Sequence, residues 1–146
     1  MDSTTGLPDR AELVVTLEEM LAEDERPSLF VVAVTGFAEL SAAGPVEAAA
    51  AMREVARLLG RLVRATDVLA VLGGGVFALA SPGVEHSDLD VLLERVRGVF
   101  ALPVQVGPHA VSLPVTVGTA LPVAGSTAHS MIGEAEADLR RRLAEA

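Results

Sequence analysis

Ser28-Leu29-Phe30-Val31-Val32-Ala33-Val34-Thr35 is an unbroken apolar and β-branched run. A strand wetted on one face alternates apolar with polar residues; this one does not, so both its faces are expected to be covered, as in a central strand of a sheet. Upstream, Gly6-Leu7-Pro8 is a turn signal, and Pro8 suits the opening of a helix that places Leu13, Leu17, Met20 and Leu21 on one face and stops before Pro27. Downstream, after a loop through Gly44-Pro45, Val46, Met52, Val55, Leu59, Leu62 and Val63 recur at helical spacing and predict a long helix ending near Arg64.

Two short apolar runs, Asp67 to Leu72 and Val76 to Ala80, flank Gly73-Gly74-Gly75, the pattern of a tight hairpin. A helix is expected from about Leu89 to Phe100. Val104 to Val106 and Val111 to Ala120 read as a second hairpin turned at Gly107-Pro108-His109, and Thr127 opens a closing amphipathic helix. The order α-β-α-β-β-α-β-β-α, with hairpins mixed among helical crossovers, implies an α+β fold whose central sheet is mostly antiparallel and flanked by helices.

The 146 residues fit one domain, 1–146, long enough to bury a core without disulfides or metals. Apolar residues make up 51% and aromatics 3%, so the core must be built from Ala, Val and Leu around Phe30, Phe37, Phe77 and Phe100. The chain has no Trp or Tyr on which bases could stack, and its net charge of −9 repels phosphate polymers and anionic membranes. No nucleic-acid polymer or membrane is therefore expected as a partner. All eleven basic residues are arginine, which reads as coding bias in a GC-rich genome. The absence of cysteine removes thiolate nucleophiles and cysteine-type zinc sites. The start Met1-Asp2-Ser3-Thr4 has neither the charged nor the apolar region of a signal peptide, and no apolar run reaches the roughly 18 residues of a membrane span, so the chain is expected in the cytosol.

Four stretches, in order, carry a resemblance: Asp2-Ser-Thr-Thr5-Gly6-Leu7-Pro8-Asp-Arg10, Ala33-Val-Thr35-Gly-Phe37, Gly73-Gly74-Gly75-Val76-Phe77 and Thr116-Val-Gly118-Thr-Ala120. Together they resemble the landmarks of a GGDEF domain, over nearly the whole chain. The resemblance implies a nucleotide-cyclase, palm-like fold. It also implies the activity of diguanylate cyclases, in which two protomers each hold a GTP and join them into cyclic di-GMP with magnesium bound by acidic residues.

At the positions matching the family's metal-binding aspartates, however, stand Ala33 and Thr35, and Gly75 and Val76 replace the two acids of the signature hairpin. Gly73, Gly74 and Phe77 remain to shape and pack the turn. Among the guanine-recognition positions, Ser41 matches the family's asparagine and Ala49 approximates its aspartate, while Leu143 replaces a C-terminal lysine. Glu39 and Glu47 lie near the pocket loop and read as solvated side chains. Without the ions' several kcal/mol of charge stabilisation the expectation is a degenerate domain that is not an enzyme and binds no metal or other cofactor.

Arg64-Ala65-Thr66-Asp67 matches the family's RxxD inhibitory site, and Val68 to Leu72 separate it from Gly73 at the family's spacing. By resemblance Arg64 would meet phosphate and guanine, Asp67 would accept from the guanine edge, and Arg95, from the helix after the hairpin, would join them. The chain is accordingly read as a cyclic di-GMP effector or regulatory module in which the ligand promotes a dimer, with a homodimer or docking to a partner protein expected. The alternatives are a dimerisation or protein-interaction domain without nucleotide, and a metal-independent GTP sensor. In isolation the same residues are compatible with a cation at a helix end paired to an aspartate three residues on. His86, His109 and His129 are too widely spaced for a metal and read as surface residues, Arg140-Arg141-Arg142 as complementing a helix dipole, and Ala48 to Ala51 as close helix packing. The chain begins almost on the family's entry motif, whereas such domains follow a sensor or helical linker, which is compatible with a piece excised from a longer protein.

Overall fold

The structure is a computed structural model that describes residues 1–83 and 88–145. Its axis is β1 (Pro27–Val34), every residue of which is buried. β1 lies inside a four-stranded sheet of order β2-β3-β1-β6, where β2 is Val68–Gly73, β3 Val76–Pro82 and β6 Val115–Ala120, and every neighbouring pair is antiparallel. Successive side chains of a strand point to opposite faces. Phe30, Val32 and Val34 therefore enter one apolar cluster with Phe77, Leu79 and Val117, while Leu29, Val31 and Ala33 enter a second with Ala78, Ala80 and Ala120. Two cores, one on each side of the sheet, explain why the run at 28–35 carries no polar alternation.

The second core is closed by α1 (Arg10–Ala22) and α5 (Ala128–Glu145). α1 starts on a reciprocal cap: the Glu12 N–H donates to the Asp9 carboxylate at 3.0 Å and the Asp9 N–H donates to the Glu12 carboxylate at 3.3 Å. It buries Leu13, Leu17 and Met20. α5 lies directly on the β6 backbone, because a Cβ at Gly118 would stand 2.4 Å from the Ala135 carbonyl oxygen and 2.5 Å from the Leu139 nitrogen. Asp138 ties the two together by accepting from the Thr119 N–H at 2.9 Å and from Arg141 and Arg142 at 2.9 and 3.0 Å. Burial pushes this carboxyl up, but the Thr119 N–H and the two guanidinium groups outweigh it and hold it below the usual range. Arg141 and Arg142 are thus paired within their own helix rather than serving the helix end alone.

The first core is closed by α3 (Pro45–Gly60), which buries Ala48, Ala51, Met52, Val55 and Leu59, and by α4 (Leu89–Val99), which buries Leu93 and Val96. Here the chain departs from expectation. The stretch between Gly36 and Gly44 is not loop but a short helix, α2 (Phe37–Ala43). α3 ends at Gly60 rather than near Arg64, so Leu62 and Val63 pack from a loop, and Val46 is 73% exposed instead of facing the core. The second hairpin is also different: β4 (Val104–Val106) pairs with β5 (His109–Val111) as a separate two-stranded sheet, and Val115–Ala120 joins the main sheet beside β1. The run from Val111 breaks because Pro114 has no N–H for a ladder and Leu113 turns into the core.

Among the described residues, no helix is long and apolar enough to cross a membrane. His109 and His129 are exposed, as read from the sequence, and His86 lies outside the described residues.

Candidate functional site

The loop between α3 and β2 turns on itself at Arg64–Asp67. The Asp67 N–H donates to the Arg64 carbonyl at 3.0 Å, and the Arg64 N–H donates back to Asp67 Oδ2 at 2.7 Å. Asp67 points inward, its side chain 4% exposed, whereas the Arg64 side chain is 56% exposed. Arg64 Nη2 donates to Asp67 Oδ1 at 3.2 Å, to Ser81 Oγ at 3.0 Å and to the Pro82 carbonyl at 2.9 Å. Ser81 Oγ in turn donates to Asp67 Oδ1 at 2.8 Å. These residues line a cleft of about 180 Å³ together with Leu62, Val91 and Arg95, the last two from α4. The structure thus brings Arg64, Asp67 and Arg95 together from a loop and a helix distant in sequence.

Ser81 was missed by the sequence reading. On β3 it follows Phe77 and Leu79 on the face turned to the first core, where a hydroxyl, 1% exposed, is out of character. That inward polar position was the available signal. Asp88 puts a carboxylate on the same cleft.

A second cleft, of about 370 Å³, opens beside the glycine hairpin. Ser41, Ala49, Gly73, Gly74 and Gly75 line it with Phe37 and Asp2 among others. Ala33, Thr35 and Val76 do not. Ala33 is buried in the sheet opposite Val76 on one side and Thr116 on the other, and exposed Thr35 lies past the end of β1, its N–H donating to the Pro114 carbonyl at 2.8 Å. Gly75 adopts φ +80°, and a Cβ there would lie 2.6 Å from Phe37 Cγ and 2.7 Å from Phe37 Cβ. The ring therefore fills the room of any side chain at 75.

Magnesium asks for several oxygen ligands in near-octahedral array. The residues present do not fit it: carbon stands at 33, 75 and 76, and no group of three or more His, Cys, Asp or Glu able to hold a metal ion occurs among the described residues. Asp2, on the cleft wall, is engaged by the Thr5 hydroxyl at 2.7 Å and the Thr5 N–H at 2.8 Å, which hold its carboxyl below the usual range. Glu39 and Glu47 are exposed and off the wall.

A family model described as "Diguanylate cyclase, GGDEF domain" matches residues 1–145. The chain belongs to the GGDEF family. It is 30% identical over 142 residues to the bifunctional diguanylate cyclase/cyclic di-GMP phosphodiesterase MucR of Pseudomonas aeruginosa, covering 93% of this chain and 21% of that protein. The GGDEF domain therefore spans about a fifth of the length of its curated relative. Among solved structures, diguanylate cyclase SiaD of Pseudomonas aeruginosa, in complex with its activator SiaC, superposes with a TM-score of 0.88 at 28% identity, over 99% of this chain and 58% of that one. The GGDEF domain of DgcB from Caulobacter crescentus, in complex with c-di-GMP, shares the fold with a TM-score of 0.88 at 24% identity, over 99% and 90% of the two chains.

The expectation that this GGDEF domain is not an enzyme does not stand. It was drawn from side chains missing at Ala33, Thr35, Gly75 and Val76, whereas the family matched over nearly the whole chain is that of diguanylate cyclases, as are the named relatives from Pseudomonas aeruginosa. What stands at four positions, of which only Gly75 lines the hairpin cleft, is not positive evidence about what the protein does. The fold, by contrast, is the one expected, an antiparallel sheet flanked by helices and shared with solved GGDEF structures.

Proposed function

We propose that this GGDEF domain binds cyclic di-GMP in the cleft formed by Arg64, Asp67 and Arg95. The observation that carries the reading is their convergence: Arg64 and Asp67 from one loop and Arg95 from α4 meet in one depression, which Asp88 also lines. Guanidinium pairs with phosphate oxygens and with the O6/N7 edge of guanine, each good contact contributing about 1–3 kcal/mol. An ionised carboxylate has roughly four lone-pair sites. Three observed donors occupy Asp67, which leaves one for a guanine N–H.

The size of the cleft limits how the ligand sits. Pockets enclosing a whole drug-sized molecule run to about 300–1,000 Å³. At about 180 Å³ this one takes a phosphate or one base edge and leaves the rest of the ligand outside, open to a second molecule of ligand or a second protein. Such an arrangement favours a domain pair bridged by ligand. The fold neighbour DgcB, whose GGDEF domain was solved with c-di-GMP, supports the choice of ligand.

Calorimetric titration and thermal denaturation with cyclic di-GMP test the reading. Ligand at one hundred times its dissociation constant stabilises by about 2.7 kcal/mol, a rise in Tm of roughly 5–10 °C for a domain of this size. Arg64→Ala should abolish the rise. No heat and no shift at high micromolar ligand would exclude the site.

A further inference from the structure

The sheet beneath the Arg64 cleft carries two fully buried serines, Ser28 and Ser81, directly opposite each other in the β1–β3 register. Their surroundings differ. Ser28 Oγ has no hydrogen-bond partner among the described residues, whereas Ser81 Oγ accepts from Arg64 Nη2 and donates to Asp67 Oδ1. An orphaned hydroxyl in a core is a cost that nothing here offsets. A hydroxyl placed between a guanidinium and a carboxylate fixes the position of both.

Nη2 of Arg64 has two hydrogens and faces three acceptors, Asp67 Oδ1, Ser81 Oγ and the Pro82 carbonyl. That end of the guanidinium is therefore saturated by the protein, and among the described residues nothing bonds Nη1 or Nε, the groups left for a ligand. A free arginine side chain has many rotamers to lose on binding, and one anchored before the ligand arrives loses fewer.

We infer that Ser81 is a positioning residue of the cyclic di-GMP site. It orients the Arg64 guanidinium and holds Asp67 inward, so that Arg64 meets the ligand phosphate through Nη1 and Nε while Nη2 remains on the protein. The inference rests on the function proposed above. It goes beyond that reading by assigning a residue outside the RxxD pattern and by naming which nitrogens of Arg64 bind.

Titration with cyclic di-GMP of the unaltered chain and of Ser81→Ala, Ser81→Thr and Ser28→Ala separates the two ideas. Binding by the unaltered chain is the test of the site itself, and its absence overturns both. Given binding, Ser81→Ala, which removes both the bond from Arg64 and the bond to Asp67, should raise Kd about tenfold or more. Ser81→Thr, which keeps the hydroxyl, should restore most of the affinity. Ser28→Ala removes an equally buried hydroxyl from the same floor and should leave Kd within about twofold. A Ser81→Ala affinity within twofold of the unaltered chain, or an equal loss in Ser28→Ala, overturns the assignment. Side-chain NMR of Arg64 in the unaltered, unliganded chain gives a readout that no folding defect can obscure. Hindered rotation with distinct Nη2 protons is expected, and a freely rotating guanidinium overturns it.

Discussion

Two clefts open off the same antiparallel sheet, and they answer their polar groups in opposite ways. In the cleft under Arg64, the guanidinium, the Asp67 carboxylate and the Ser81 hydroxyl satisfy one another over 2.8–3.2 Å, while Arg95 is exposed beside them. Beside the glycine hairpin, Gly75 and Val76 offer no side-chain oxygen, and the Phe37 ring stands against the Gly75 backbone. The first cleft is polar machinery under tension between bonding inward and binding outward; the second is shaped by packing. What separates them is how far the polar groups on the wall bond to one another: Arg64, Asp67 and Ser81 share three side-chain bonds, whereas Asp2 is held by Thr5.

The contrast breaks most forcefully at the hairpin tip. Gly74 and Gly75 both have positive φ, +64° and +80°, but only at Gly75 would a Cβ meet anything. Gly74→Ala should show the backbone penalty alone, about 1–2 kcal/mol. Gly75→Ala should add about 1–3 kcal/mol of overpacking, because Phe37 Cβ is among the atoms in the way and its place is set by the backbone, whatever rotamer the ring adopts. Urea unfolding of the two variants, and of Gly75→Ala combined with Phe37→Ala against Phe37→Ala alone, isolates the ring's share of the contact, since alanine keeps Cβ. Equal losses for the two glycines would mean that packing does not shape the second cleft.

At the other cleft the comparison is sharpened by ligand. Arg64→Ala should weaken cyclic di-GMP by about 2–3 kcal/mol, tens to a hundredfold, since it deletes a charged contact and releases Asp67. Arg95→Ala, on the exposed helix, should cost nearer 1 kcal/mol, a few-fold, as one solvent-screened contact. Ser41→Ala, in the hairpin cleft, should not change this affinity. Calorimetry on the three variants ranks them, and a loss in Ser41→Ala comparable to that in Arg64→Ala would move the ligand to the wrong cleft.

Much of the frame was legible because period and punctuation carry it. The uniform burial of β1, the helix over Leu13, Leu17 and Met20, and the glycine hairpin each follow from a pattern visible in a single segment. The errors fell where tertiary pairing overrides local pattern. Val111 to Ala120 looks like one strand, but Leu113 has a core to enter and Pro114 cannot join a ladder, so the segment serves two sheets. α2 was hidden because Phe37–Ala43 lies between two glycines with positive φ and has no buried residue to mark a helical face. Of the residues on the Arg64 cleft, Arg64, Asp67 and Arg95 were singled out through the family resemblance, while Ser81 was not. Its partners are 14 and 17 residues away, and only the strand's facing turns its hydroxyl toward them.

The smallest effect concerns Asp2, the carboxylate on the wall of the hairpin cleft. The Thr5 hydroxyl and then the Thr5 N–H favour its charged form, so its folded pKa lies below the ordinary value. A carboxyl depressed in this way contributes stability that is fully present above the unfolded pKa, about 3.9, and is lost as pH falls through the lower folded value. The stability difference between the unaltered chain and Asp2→Asn should then be flat from pH 7 to about 5, amount to no more than about 1 kcal/mol, and shrink below about pH 4. Asp138, also depressed, loses its contribution over the same acid range, so the difference between the two chains, and not the unaltered curve alone, reports Asp2. A difference that grows on acidification would mean that Asp2 is held by something other than Thr5 and that the hairpin cleft, like its counterpart, has a polar network of its own.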